Sequence, residues 1–201
     1  MLKVGLTGGL ASGKSFVGEA LAGMGCRLIQ ADALGHEVLL PGGEAYDGVV
    51  REFGQGILDA DGRIDRRKLA AEVFGRPERL DRLNALVHPP VIRREEAMAA
   101  RFAARDPRAI VVVEAAILIE TGSYRRFDKL VLVVCDEEQQ ISRSIQRDGA
   151  SREQVLERLR RQMPLSLKRK YADYVIDTSG TKEDTLRQTR EVYEQLRSIA
   201  K

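Results

Sequence analysis

The sequence predicts an α/β fold: a five-stranded parallel sheet, doubly wound, with one long helical insertion and a second helical excursion. Three observations carry this. Five short apolar runs alternate with helical patterns, the order that builds parallel sheets. The runs are near-continuous in Val, Ile and Leu, as at residues 110–113 and 130–134, which suits strands covered on both faces. Residues 8–15 read Gly-Gly-Leu-Ala-Ser-Gly-Lys-Ser, set between the first apolar run and a helical pattern.

The first strand is expected at 2–7, around Val4 and Leu6, and a helix at 15–24. Between them lies a match to Gly-x-x-x-x-Gly-Lys-Ser. A strand, a glycine turn and a helix start bring several N–H groups and the positive end of the helix dipole to one point. Glycines let the backbone curl around phosphates, Lys14 reaches the outer phosphates, and the Ser15 hydroxyl ligates magnesium. A glycine turn that only caps a helix fits the same spacing. It leaves Lys14 unexplained, because a cation at a helix start opposes the dipole.

The remaining strands are expected at 27–30, 109–114, 129–135 and 174–176. The gap after Asp32 is broken at Pro41-Gly42-Gly43, residues 54–56, Asp61-Gly62 and Pro77, with helices expected at 44–53, 65–74, 78–87 and 90–105. Residues 137–172 form an arginine-rich excursion with helices at 140–148 and 152–162, the second opened by a capping box from Ser151 and Gln154. A last helix at 182–199 spaces Leu186, Val192 or Tyr193, Leu196 and Ile199 on one face. The expected organisation is one domain, 1–201. Its core is 1–32, 109–136 and 173–201, with an insertion at about 33–108 and a lid at about 137–172.

Composition narrows the function classes. In 201 residues, 43% are hydrophobic and 31% charged, the balance of a globular chain with a real core. Net charge is +3, too balanced to argue for nucleic acid, and the absence of Trp removes the best stacking platform for single strands. Cys26 and Cys135 lie far apart and outside any Cys-x-x-Cys pair, so both read as buried thiols and the expected location is cytoplasmic. No apolar run approaches the roughly 18 residues of a membrane span.

Ligands of doubly wound sheets bind beyond the carboxyl ends of the strands, which directs attention to 8–15, Asp32, Glu114 and the segment after Cys135. No Asn-Lys-x-Asp guanine motif is present, and Asp59-Ala-Asp-Gly62 sits inside the insertion, where it reads as a turn. Small size, an insertion and mobile arginines fit a kinase that closes over two substrates. Asp32 either orients an acceptor hydroxyl or caps a helix starting at Ala33. Glu114 either holds magnesium through water or is an exposed strand-end acid. His88, before Pro89-Pro90, is a helix end or a ligand. Arg143 and Arg147, four apart, share a helix face that is either solvated or turned to the transferring phosphate. Lys168-Arg169-Lys170 reads as a solvated run or as a help in binding an anionic ligand.

In order along the chain, the motifs resemble the dephospho-CoA kinase family. Residues 5–15 look like its phosphate loop; Ala31-Asp32 with Glu37-Val38 and Pro41-Gly42 look like its acidic segment. Phe53-Gly54, Gly62-x-Ile64-Asp65-Arg66 with Leu69, and His88-Pro89 resemble its insertion and substrate side. Residues 117–120, Gln140-Ile141-x-Arg143, Arg147-Asp148, Gln162 and residues 172–176 complete the series. The chain departs from the usual pattern at Ala116 (proline), Ile119 (phenylalanine) and Thr178 (asparagine near the adenine).

The resemblance implies a P-loop kinase core and ATP-dependent phosphorylation of the ribose 3′-hydroxyl of dephospho-CoA, with magnesium. It implies Asp32, Lys14 and Arg143 as catalytic residues. Gly9, Ala11, Ser12, Gly13, Lys14, Ser15, Phe16 and Arg147 would meet ATP, and Ser15 and Glu114 the metal. Thr7, Asp32, His88 and Ile117 would meet the acceptor. The insertion would hold the substrate and 137–172 would form the lid. Alternatives are a nucleoside or nucleotide kinase on the same core, or a low-turnover ATP-dependent binding module. No nucleic-acid or membrane partner is expected, and the oligomeric state is left open between a monomer and a weak homo-oligomer.

Overall fold

A computed structural model describes residues 1–200. The chain divides into two compact units: Met1–Gln30 together with the chain from Ala99 onward, and Ala31–Met98.

The first unit holds a five-stranded sheet: β1 (Leu2–Gly8), β2 (Arg27–Gln30), β3 (Ile110–Glu114), β4 (Lys129–Val134) and β5 (Tyr174–Asp177). The spatial order is β2-β3-β1-β4-β5 and every pairing is parallel. All five expected strands are present, with ends shifted by a residue at most. β1 is central: Val4 lies opposite Val112 on one side and Lys129 on the other. With both neighbours in place, β1 has no free edge, and Val4, Leu6, Val112, Val131 and Val133 are buried. Helices α1 (Lys14–Gly23) and α9 (Lys182–Ile199) supply Val17, Leu21, Val192 and Leu196 to the same core. α9 starts from a capping box of Thr181 and Asp184, which satisfies helix-end donors reciprocally.

The same unit contains α6 (Glu137–Asp148), α7 (Arg152–Arg160) and the single turn α8 (Leu165–Lys168). The expected Ser151–Gln154 capping box is present at the start of α7. Both cysteines are buried and free. Burial alone pushes the Cys26 thiol up to about 12.

The second unit is helical: α2 (Ala31–Glu37), α3 (Tyr46–Phe53), α4 (Arg66–Val73) and most of α5 (Pro77–Arg105). Asp65 caps α4 by accepting from the N–H groups of Arg67 and Lys68. Residues 59–62 are the expected turn, with Gly62 N–H donating to Asp59 O at 3.2 Å and Gly62 at a φ of 74°. Two expectations need correction. The helices at 78–87 and 90–105 are one helix that runs through His88, Pro89 and Pro90, so His88 is interior and not a helix end. The prolines remove two backbone donors, but the flanking Leu, Arg, Glu and Ala residues are strong helix formers. Arg94 further ties α5 down by forking onto Glu44 at 2.6 and 2.8 Å and reaching Glu37 at 2.8 Å. Likewise α2 already includes Ala31, so Asp32 lies in its first turn and does not cap a helix at Ala33.

Candidate active site

The loop from Gly8 to Gly13 leads straight into α1. Glycine is required at position 8 by close approach: a Cβ there would sit 2.4 Å from the Val133 carbonyl oxygen and 2.5 Å from Ser12 Oγ. Gly13 adopts a φ of 84°, which side chains rarely tolerate. Ala11 also lies in the left-handed region, at 50°, a local strain of the kind that functional loops hold. The first i to i−4 bond of α1 is Val17 N–H to Gly13 O, so the N–H groups of Lys14, Ser15 and Phe16 precede the helical ladder. No acidic residue of α1 itself lies in that first turn to offset the positive dipole end.

Side chains brace the loop from outside. The Leu10 peptide groups are held at both poles: its N–H donates to Gln162 Oε1 at 2.9 Å and its C=O accepts from Gln140 Nε2 at 2.7 Å. The Ser12 carbonyl accepts from Thr178 Oγ1 at 2.9 Å. Lys14 Nζ curls back to Gly9 O at 3.3 Å.

Beside the loop, Ser15 Oγ donates to Glu114 Oε1 at 2.8 Å. Glu114 is only 7% exposed, which excludes the reading of an exposed strand-end acid. Its Oε2 is buried with no hydrogen-bond partner, and Gly18 leaves it room, since a Cβ there would stand 3.2 Å away. A buried carboxylate with one unused oxygen next to a hydroxyl is a hard-oxygen donor pair. One or two such groups, completed by phosphates and water, are how magnesium is usually held.

On α6, Arg143 donates through Nη1 to Thr178 Oγ1 at 2.9 Å, and through Nη2 to Thr178 O at 2.7 Å and Gln139 Oε1 at 2.8 Å. None of these partners is a carboxylate, so a fixed guanidinium charge stands un-neutralised by any ion pair among the described residues. Gly13, Phe16, Arg143, Thr178, Thr181 and Lys182 line a cleft of about 200 Å³. A phosphate loop, an acid–hydroxyl pair and a free cation on one sheet edge are the parts of a phosphoryl-transfer site.

Comparison with known proteins gives the lineage. The dephospho-CoA kinase family matches residues 2–184. The chain belongs to the dephospho-CoA kinase family. It is 39% identical to the dephospho-CoA kinase of Aquifex aeolicus over 98% of both chains, and 43% identical to that of Geobacter metallireducens over 94% of this chain and 93% of the other. A Thermus thermophilus protein of known structure superposes with a TM-score of 0.82 at 35% identity, over 96% of this chain and 97% of its own.

Within this family frame, the expected site residues fall into two groups. Gly9, Ala11, Ser12, Gly13, Lys14, Ser15, Phe16, Glu114 and Arg143 lie in the first unit around the loop just described. Thr7 is in that unit too, fully buried, with Oγ1 donating to Ala116 O at 3.2 Å. Ile117 is exposed in the turn after β3. Arg147 does not share the setting of Arg143. It is exposed and held by Asp148 at 2.8 and 3.1 Å, which raises the pKa of the arginine and holds the Asp148 carboxyl below its usual range. Asp32 and His88 belong to the second unit. Asp32 is exposed in the first turn of α2, and His88 is half-buried on α5, where burial lowers its imidazole pKa.

Sequence reasoning missed three features. The grip of Gln140 and Gln162 on Leu10 has no local sequence signal. Thr178 stands out in the sequence only as a departure from the family pattern. Lys168 corrects the expectation of a solvated run: it is fully buried, with Nζ 2.6 Å from Glu120 Oε1, although the angles are not those of an aligned hydrogen bond. In the same unit, the Tyr124 and Tyr171 rings meet edge to face at 5.1 Å.

Proposed function

We propose that this chain transfers the γ-phosphoryl group of ATP to the ribose 3′-hydroxyl of dephospho-CoA, giving coenzyme A and ADP, the last step of coenzyme A biosynthesis. The observation that carries the reading is an intact, braced phosphate loop in a chain that matches the family over residues 2–184.

In this reading Lys14 and the amides around Gly9, Ala11, Ser12, Gly13, Ser15 and Phe16 hold the ATP phosphates. Ser15 Oγ and Glu114 hold magnesium, which supplies charge neutralisation on the phosphates. The cleft beside Gly13 and Thr178 takes the base. Arg143 meets the charge that develops on the transferring group, while Arg147 acts from the lid at about 137–172. Asp32 orients the acceptor hydroxyl. Thr7, His88 and Ile117 contact the acceptor, and the insertion at about 33–108 holds the rest of it. The setting is cytoplasmic, with no nucleic-acid or membrane partner; no helix among the described residues is long and apolar enough to cross a membrane.

Purified protein with ATP, magnesium and dephospho-CoA should form coenzyme A, and nucleosides should compete poorly as acceptors. A panel in which a nucleoside is the better acceptor overturns the substrate. Asp32→Asn should lose most turnover while ATP binding survives; wild-type turnover overturns the role given to Asp32.

A further inference from the structure

The cleft, the buried Lys168–Glu120 pair and the residues bracing the loop all lie in the first unit, and one of them touches both the loop and the free cation. We infer that Thr178 is a positioning residue for phosphoryl transfer, aiming Arg143 and the Gly13 amide together through one hydroxyl. The inference rests on the reading that Arg143 meets the transferring group.

Thr178 is 4% exposed and fixed at the end of β5, where its N–H donates to Val134 O at 2.9 Å. A hydroxyl has one proton to give and lone pairs to receive. Here the proton goes to Ser12 O at 2.9 Å, with Val134 O a weaker alternative at 3.3 Å. The oxygen receives from Arg143 Nη1 at 2.9 Å, while the Thr178 carbonyl receives from Nη2 at 2.7 Å. Two contacts from one residue fix the plane of a rigid guanidinium fork, which a single contact does not do.

The second effect runs through the peptide plane. Ser12 C=O and Gly13 N–H belong to one trans peptide and point in opposite directions. Holding that carbonyl toward Thr178 therefore aims the Gly13 N–H away from Thr178. Thr178 packs flush against this glycine, since a Cβ on Gly13 would meet its Cγ2 and Oγ1 at 3.4 Å. One side chain thus sets the direction of a loop amide and of the free cation.

The test compares Thr178→Val, Thr178→Ser, Arg143→Ala and the Val/Ala double variant in steady-state kinetics, with thermal midpoints as a check on folding. Thr178→Val removes the hydroxyl at nearly constant shape. Its kcat should fall about ten- to a hundredfold, as expected for losing a hydrogen bond to a charged group. The KM for dephospho-CoA should stay within about threefold, because orientation of the reacting centre is what changes. Thr178→Ser should restore most of kcat, and the double variant should be slower than Arg143→Ala by less than the full Thr178→Val loss, the remainder being the share carried through the Gly13 amide.

A Thr178→Val kcat within about twofold of wild type, or above it, overturns the inference, as does a serine variant as slow as the valine one. So does a double variant showing the full product of both losses. Should the valine variant not fold, Thr178→Ala makes the same deletion and is held to the same outcomes. Arg143→Ala with wild-type kcat overturns the role of Arg143 itself, and the coupling with it. A crippled Arg143→Ala beside a normal Thr178→Val overturns the coupling alone.

Discussion

Removing Glu120 should cost more than removing Lys168, although the two form one ion pair. Lys168 is fully buried and its Nζ lies 2.6 Å from Glu120 Oε1, whereas the Glu120 side chain retains 22% exposure. Glu120→Ala therefore strands an ammonium in the interior, while Lys168→Met strands a carboxylate that water already reaches. Breaking a buried pair from one side costs about 3–5 kcal/mol. Because the vacated space opens toward water on the Glu120 side, the lower end, about 3 kcal/mol, is expected. For a chain of this size, at about 2–4 °C per kcal/mol, the midpoint should fall by about 6–12 °C. The Lys168→Met/Glu120→Leu double variant removes both charges and should return to within about 1 kcal/mol of wild type. Urea titration followed by far-ultraviolet circular dichroism, with thermal scans alongside, measures all four proteins. A Glu120→Ala loss below about 1 kcal/mol, or a double variant as damaged as that single one, would refute the reasoning.

Other outcomes follow from the same geometry. Burial holds the His88 imidazole below its usual 6.5, so the unfolded chain binds more protons as pH falls from that value. The His88 contribution is thus present above pH 6.5 and lost on acidification; an NMR titration midpoint at or above 6.5 in the folded protein contradicts this. With Cys26 raised to about 12 and Cys135 also raised, chiefly by burial, neither thiol should react readily with an aromatic disulfide at pH 8 until denaturant is added. Rapid labelling of the native protein counts against both assignments. Gly8→Ala drives a Cβ into the Val133 carbonyl, which cannot yield, while Gly9→Ala meets side chains alone, the amide end of Gln140 at 2.4 Å and Leu165 Cδ2 at 3.3 Å. Calorimetric ATP titration should find binding abolished in the first and weakened in the second, and equal losses would contradict the distinction.

The strands were legible because a buried parallel strand leaves an unmistakable apolar run, and the loop because its glycines and lysine answer to local geometry. The helix through Pro89-Pro90 was not legible, since proline is a local breaker while the helix persists through its flanks and the Arg94 fork in its own unit. Lys168 reads as solvated in any three-residue basic run; only Glu120, forty-eight positions upstream, accounts for its burial. The different settings of Arg143 and Arg147 were hidden for a related reason. Helical spacing sets a shared face, but Asp148 captures one guanidinium and Thr178 the other.

The central place of β1 has a consequence for how the chain comes off the ribosome. β1 is synthesised before both of its partners, Ile110–Glu114 and Lys129–Val134, so neither of its edges can close until the chain has been made as far as β3. At about 5–20 residues per second, that is a wait of roughly 5–20 s with a strongly apolar ribbon unpartnered. All of Ala31–Met98 is made in the interval and can condense on its own local helices. The phosphate loop is thus translated well before the strands that give it shape, which makes that interval the stage most exposed to misassociation and to chaperone capture.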